Sequence, residues 1–420
     1  MTGEIYIKKR TMPQWFAVFT VIVPFLFGFL FETLKVPQLL KFSIDVMWFV
    51  LFVLMVCKKN LEFKKSITPL LVLVVLFFVY TLILHLINIQ SPFYFVWGVR
   101  NNFRFYVAFF AFIYFLREDD AESLLKLMDV LFWVNVVLSF IQFFALGYKQ
   151  DYLGGIFGTS KGCNAYSIIF FSITLTRSLL LYMSGKEKTL SCFSKCGFAL
   201  IISALAELKA FFLFFVLITV IATFITSFSK RKLLFIIIGV LFLGVSITLL
   251  ETVFNIEGEF TLEKIFELIT SENYSSQKDV GRLTAIPTIS KKILNEPIEQ
   301  LFGLGLGNCE LSDISIFNTP FYNTYKDLHY YWFSSAFLFL ETGIIGFAIY
   351  LLFFIFIFIY SLNHLKKGIG NKLYCQMAII LAVMCVILTF YNGSLRTEAA
   401  YMMFFALALP FIDKDEELQD

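Results

Sequence analysis

Apolar residues in this chain come in runs of about twenty, the length that crosses the hydrocarbon core of a bilayer. Short polar stretches bearing lysine and arginine separate the runs. The chain is 59% hydrophobic and 19% aromatic, more apolar and far more aromatic than a soluble domain. The expected class is an all-α polytopic membrane protein. The first run has no small-residue cleavage site behind it, so it reads as a retained helix and not as a signal peptide.

A net charge of +3 decides nothing, but the placement of the charges does. Basic clusters stand at Lys8-Lys9-Arg10, at Lys58-Lys59 with Lys64-Lys65, at Lys186 with Lys188, at Lys230-Arg231-Lys232, and at Lys366-Lys367 with Lys372. Such clusters mark cytoplasmic loops, so an even number of crossings separates any two of them. That parity splits the long run after Lys188 into two helices meeting outside at "AELKA", and places two helices between Lys65 and Arg117. The expected spans are 14–31, 39–57, 67–88, 98–116, 123–146, 164–183, 189–206, 210–228, 233–250, 343–361, 373–391 and 397–412. About twelve transmembrane helices follow, with both termini cytoplasmic. Residues 1–250 carry helices one to nine, 251–342 one large external, mostly helical loop, 343–412 helices ten to twelve, and 413–420 a cytoplasmic tail.

Within the loop, "TLEKIFELI" and "RLTAIPTISKKIL" read as short amphipathic helices, with Pro297 ending the second. "HYYWFSSAFLFLE" is apolar but too short to span, so it reads as a re-entrant or interfacial helix. The seven cysteines form no paired CxxC set, and no histidine joins Cys192 and Cys196, so neither a metal nor an obligatory disulfide is expected. Cys163 and Cys309 both fall on the external side, without further reason to pair them.

Cations outside the cytoplasmic loops run against the orientation bias. Arg100 and Arg104, four residues apart and so on one helical face, stand at the external start of span four. Lys209 starts span eight beside Glu207, Arg282 opens an amphipathic helix of the large loop, and Arg396 starts span twelve. Four segments thus send five basic residues toward one membrane face, a pattern suited to a phosphate or diphosphate, whose oxygens arginine binds with two parallel hydrogen bonds. The bland alternatives are snorkelling to water and pairing with a neighbouring carboxylate, Glu207 in the case of Lys209. Arg177 lies nearer the cytoplasmic end and stays outside this set. His85, among leucines, and His364 read as structural. His329, preceded by Asp327 where the loop re-enters the membrane, suits a proton acceptor for a sugar hydroxyl, or an aromatic-belt anchor beside Tyr330, Tyr331 and Trp332.

"LFGLGLGN", Leu301 to Asn308, has no Lys-Ser/Thr after its glycines and no strand-to-helix context, so it is no nucleotide loop. Its glycines serve a tight turn or a close backbone approach. Nothing points to nucleic acid.

In order, the chain reads "GRLTAIPTISKKILNEPIEQLFGLGLGN" and then "DLHYYWFSSAFLFLETGIIG". This succession of Arg282, Pro297, Gly303, Gly305, His329, Glu341, Gly343 and Gly346 resembles the O-antigen polymerase and ligase superfamily. "GGIFGTSKGCNAYSIIFF", with Gly155, Gly158 and Asn164, and "AELKAFFLFF" are similar to further stretches of that family. The resemblance implies an inverting, metal-independent glycosyltransferase of the bacterial cytoplasmic membrane, without cofactor. Its donor and acceptor would be polyprenyl-diphosphate-linked oligosaccharides, with membrane lipid and a chain-length regulator protein as further partners. Arg100, Arg104, Lys209, Arg282 and Arg396 would hold the diphosphate, and His329, Asp327 or Glu207 would take the proton. His329 lies fourteen residues before Gly343 and is followed by Tyr330, a spacing that favours a repeat-unit polymerase over a ligase. A flippase would show two similar halves, and none is visible.

Overall fold

A break in one long helix organises the loop-bearing end of the molecule. In the computed structural model, which describes residues 10–57, 66–89, 91–254, 270–271, 279–312 and 318–412, the chain is helical, and no strand occurs among the described residues. The principal helices are α1 (Met12–Phe27), α2 (Ser43–Val56), α3 (Thr68–Ile87), α4 (Pro92–Phe115), α5 (Glu118–Phe140), α6 (Asn164–Met183), α7 (Thr189–Leu205), α8 (Lys209–Ile225) and α9 (Lys230–Phe254). The short α10 (Ala285–Lys292), α11 (Pro297–Phe302) and α12 (Pro320–Tyr325) lie in the loop region, and α13 (Ser334–Lys367), α14 (Lys372–Tyr391) and α15 (Ala400–Ile412) follow it. Every interval expected to span holds a helix. Among the described residues six stretches are long and apolar enough to cross a membrane: Met12–Glu32, Thr68–Ile87, Glu118–Ala145, Asn164–Met183, Ser334–Lys367 and Lys372–Tyr391. The chain is an all-α membrane protein.

Burial follows the distribution of apolar residues around each helix. The sequence AYMMFFALALPFI is apolar on every side, and all of α15 is buried, packed on α4, α14 and α6. At the rim the pattern inverts: Val72, Val75, Leu76 and Val79 of α3 and Val240, Leu241 and Val245 of α9 point outward. Apolar residues on the outside of a folded bundle suit a lipid surround. Two buried cations at the end opposite the loop are paired with carboxylates. Arg177 reaches Asp129 and Glu122 of α5, and Lys195 of α7 reaches Asp129 at 2.8 Å and Glu187 at 3.1 Å.

The sequence reading changes in three places, two of them in the loop. Pro297 does not end the second amphipathic helix; α10 stops at Lys292 and Pro297 opens α11, where its missing N–H costs nothing. The fourth helix starts at Pro92, not near residue 98, so Arg100 and Arg104 lie two to three turns inside it. The "HYYWFSSAFLFLE" segment is not a separate helix: from Ser334 it is the first arm of α13, which breaks at Gly343 (φ 62°, ψ −170°) and then continues to Lys367. "TLEKIFELI" (261–269) and the tail 413–420 lie outside the described residues.

The break explains the glycine turn. Ahead of it, the carbonyls of Leu340 and Glu341 accept from the backbone N–H groups of Leu304 and Gly305, both at 2.8 Å. Carbonyls that lose helical partners are thereby satisfied by the loop, as an apolar surround demands. Gly303 must approach closely, since a Cβ there would stand 2.5 Å from the Gly343 nitrogen. A Cβ on Gly343 would drive into the carbonyl of Leu301. Gly368 has a similar φ of 68° with nothing within 4 Å, so it isolates backbone strain from collision. Replacing Gly368 by Ala should cost about 1 kcal/mol, and Gly343→Ala about 3 kcal/mol or more, in unfolding of the detergent-purified protein. Equal losses would show that the docked turn adds nothing to stability.

Candidate anion-binding site

Arg104 sits on α4 with 4% of its side chain exposed, and a charge so placed needs partners. They come from distant segments. Its guanidinium donates to Glu398 Oε1 at 3.2 Å and to the Arg396 carbonyl at 3.3 Å, and lies 3.8 Å from Asp45 of α2. Arg100, one turn earlier on the same face, grips Asp45 through Nε at 3.0 Å and Nη2 at 2.7 Å and donates to Asn101 at 2.6 Å. The ring of Trp97 lies 4.8 Å from it.

Between α14 and α15 a short turn, Ser394–Arg396, presents the third arginine. Arg396 donates to Glu310 Oε1 at 2.7 Å and lies 3.3 Å from the centre of the Phe337 ring on the first arm of α13. Two residues on, Glu398 also accepts from the Tyr166 hydroxyl of α6 at 2.9 Å. Three arginines and three carboxylates therefore form one network joining α2, α4, α6, the glycine turn and the α14–α15 connection. Within it, Arg104 Nε and the hydroxyl of the buried Tyr401 have no protein partner.

The carboxylates differ. Burial pushes the Glu310 carboxyl above the usual range, against the pull of Arg396 and a hydrogen bond with Asn101. Burial acts the same way on Glu398, but Arg104, backbone hydrogen bonding and the Tyr166 hydroxyl outweigh it and hold that carboxyl below its ordinary value.

Of the residues proposed from sequence, Arg100, Arg104 and Arg396 come together here. Arg282 lies over the ring of Tyr391, 4.4 Å from its centre, at the same end of the bundle where α14 finishes. Lys209 pairs with Glu207 at 3.5 Å in the α7–α8 turn, which the side-chain amide of Asn164 ties down through the Ala206 carbonyl. His329 takes a left-handed backbone conformation (φ 49°) and stacks on Trp332 at 4.0 Å, with its Nδ1 buried and lacking a protein partner. Asp327 lies in the adjoining short 3-10 turn, Lys326–Leu328. No group of three or more His, Cys, Asp or Glu able to hold a metal occurs among the described residues.

Asp45, Glu310, Glu398, Asn101 and Tyr166 were not evident from sequence. Glu398 carried a signal, standing two residues after Arg396 in "SLRTEAAY". Asp45 carried a weaker one, a lone acid opening an apolar run. Compared with known proteins, the chain matches no family model and no curated sequence, so the resemblance to the polymerase and ligase superfamily stands on the residues alone.

The Arg104–Glu398 pair yields a stability test. Removing one partner of a buried pair strands the other charge, so Glu398→Gln should cost about 3–5 kcal/mol. Because the folded carboxyl titrates below its ordinary value of 4.5, its stabilising contribution is complete above that value and is lost as pH falls through the lower, folded-state one. Acid melting curves should therefore be shallower for Glu398→Gln than for wild type; parallel curves would remove Glu398 from the pair.

Proposed function

We propose that this chain is a membrane glycosyltransferase acting on lipid-diphosphate-linked glycan, a polysaccharide repeat-unit polymerase of the bacterial cytoplasmic membrane. The observation that carries the reading is the gathering of Arg100, Arg104 and Arg396 into one network at the loop-bearing end, with Arg282 at the same end. The order of Arg282, the glycine turn, His329 and the Glu341–Gly343–Gly346 run supports it. On this reading twelve helices span the membrane, both termini are cytoplasmic and the loop is external.

An acceptor hydroxyl of one lipid-linked unit attacks the anomeric carbon of the other. A new C–O bond forms as the bond to the diphosphate breaks, and the electron pair leaves on the polyprenyl diphosphate. Arginines aimed at the departing phosphate oxygens stabilise the growing charge where water is scarce. The hydroxyl proton passes to a base, for which His329, Asp327 and Glu207 remain the candidates.

Arg282 is the cleanest handle, because its aromatic contact at the bundle's end leaves the Arg104–Glu398 pair intact. In proteoliposomes with lipid-linked repeat units on one side, wild type should produce a ladder of lengthening chains. Arg282→Ala and Arg100→Ala should each slow extension about 10²–10³-fold, the usual effect of losing a donor to a developing anion. Full activity in both variants would overturn the clamp. Transfer only to a different acceptor would make the protein a ligase, and no extension under any condition would favour a transporter.

A further inference from the structure

The glycine turn does more than follow α10 and α11: it carries a carboxylate into the arginine network. From Gly303, pinned against the α13 break, the chain runs to Gly307, which lies directly on α4. A Cβ on Gly98 would stand 2.6 Å from the Gly307 nitrogen, and one on Gly307 would strike the Tyr94 carbonyl. Gly98 is two residues before Arg100, so this contact brings the loop to the helix that bears two of the arginines. Three residues past Gly307, Glu310 is 2% exposed and holds Arg396 at 2.7 Å. Next to it the Cys309 N–H donates to Glu341 Oε1 at 3.0 Å and the Cys309 carbonyl accepts from Tyr330 at 2.6 Å, so the carboxylate is delivered by a well-fixed backbone.

Asp45 and Glu398 belong to helical and interhelical segments that the bundle fixes, whereas Glu310 belongs to a loop docked through backbone contacts. A carboxylate and a phosphate present similar oxygens to a guanidinium, and both cannot take the same donors of Arg396. We infer that Glu310 is a built-in occupant of the anion site, and that a phosphate-bearing ligand enters by displacing its carboxylate from Arg396 and lifting residues 303–312 off α4. The inference rests on the anion-site reading above and adds the device that regulates entry. Since Leu304 and Gly305 also satisfy the carbonyls before Gly343, withdrawal of the turn would loosen the first arm of α13, and the site and the helix break would respond together.

Inorganic pyrophosphate and the detergent-purified full chain provide the test. In Glu310→Gln the neutral amide competes poorly, so calorimetry should show pyrophosphate binding about ten- to hundredfold tighter than in wild type, the equivalent of one charge-assisted hydrogen bond. Glu296→Gln, which removes an exposed carboxylate of the same loop, should bind as wild type does. Equal affinity in wild type and Glu310→Gln, or weaker affinity in the variant, would overturn the inference while leaving the anion site standing. Absence of binding in both would overturn the anion site itself, and the inference with it. Wild-type protein supplies a check free of any folding defect: saturating pyrophosphate should speed amide hydrogen exchange across residues 303–312. Unchanged or slower exchange there would mean that the turn does not move for the ligand.

Discussion

Arg104 and Glu398 set the terms for the loop-bearing end of this bundle. A guanidinium inside an apolar helix assembly is tolerable only when its charge and its donors are matched. Here the match comes from a carboxylate on a connection 294 residues away in the chain, from an Arg396 carbonyl in the same connection, and from Asp45 on α2. Those requirements hold α4, α2 and the entry to α15 in register. Arg100, Arg396 and Glu310 extend the same network outward.

The backbone obeys a parallel rule. Breaking α13 at Gly343 would leave carbonyls bare, and the 303–305 turn supplies the N–H groups. This trade lets the first arm of the helix change direction and carry Phe337 beneath Arg396. Helix break, glycine turn and arginine network are therefore one assembly, built from residues that lie far apart in sequence.

Helix positions were legible from the sequence because apolar run length and charge parity both constrain them. The arginines were legible because a cation in an otherwise apolar stretch, away from the basic clusters, stands out. Their partners were not, because nothing local in the sequence links Asp45 to Arg100 or Glu310 to Arg396. Such pairings are decided by which helix ends meet, which depends on packing. The early start of α4 was missed for a related reason: "PFYFVWG" resembles an aromatic interfacial loop, yet Pro92 at the helix start and continued packing against α2 extend the helix outward. The stacking of His329 on Trp332 was not legible either, since the left-handed backbone that brings the two rings together leaves no local mark in the sequence.

The full burial of α15 carries a kinetic consequence. Its residues touch α4 and α6, made far earlier in the chain, and contacts of such long separation are the slow ones to form. Until that short helix is inserted among its neighbours, Arg104 has no Glu398, Tyr166 has no acceptor, and the bundle has an unfilled middle. Maturation of the protein in its membrane should accordingly end with this helix, and half-assembled chains would expose a buried arginine as the mark by which quality-control proteases could recognise them.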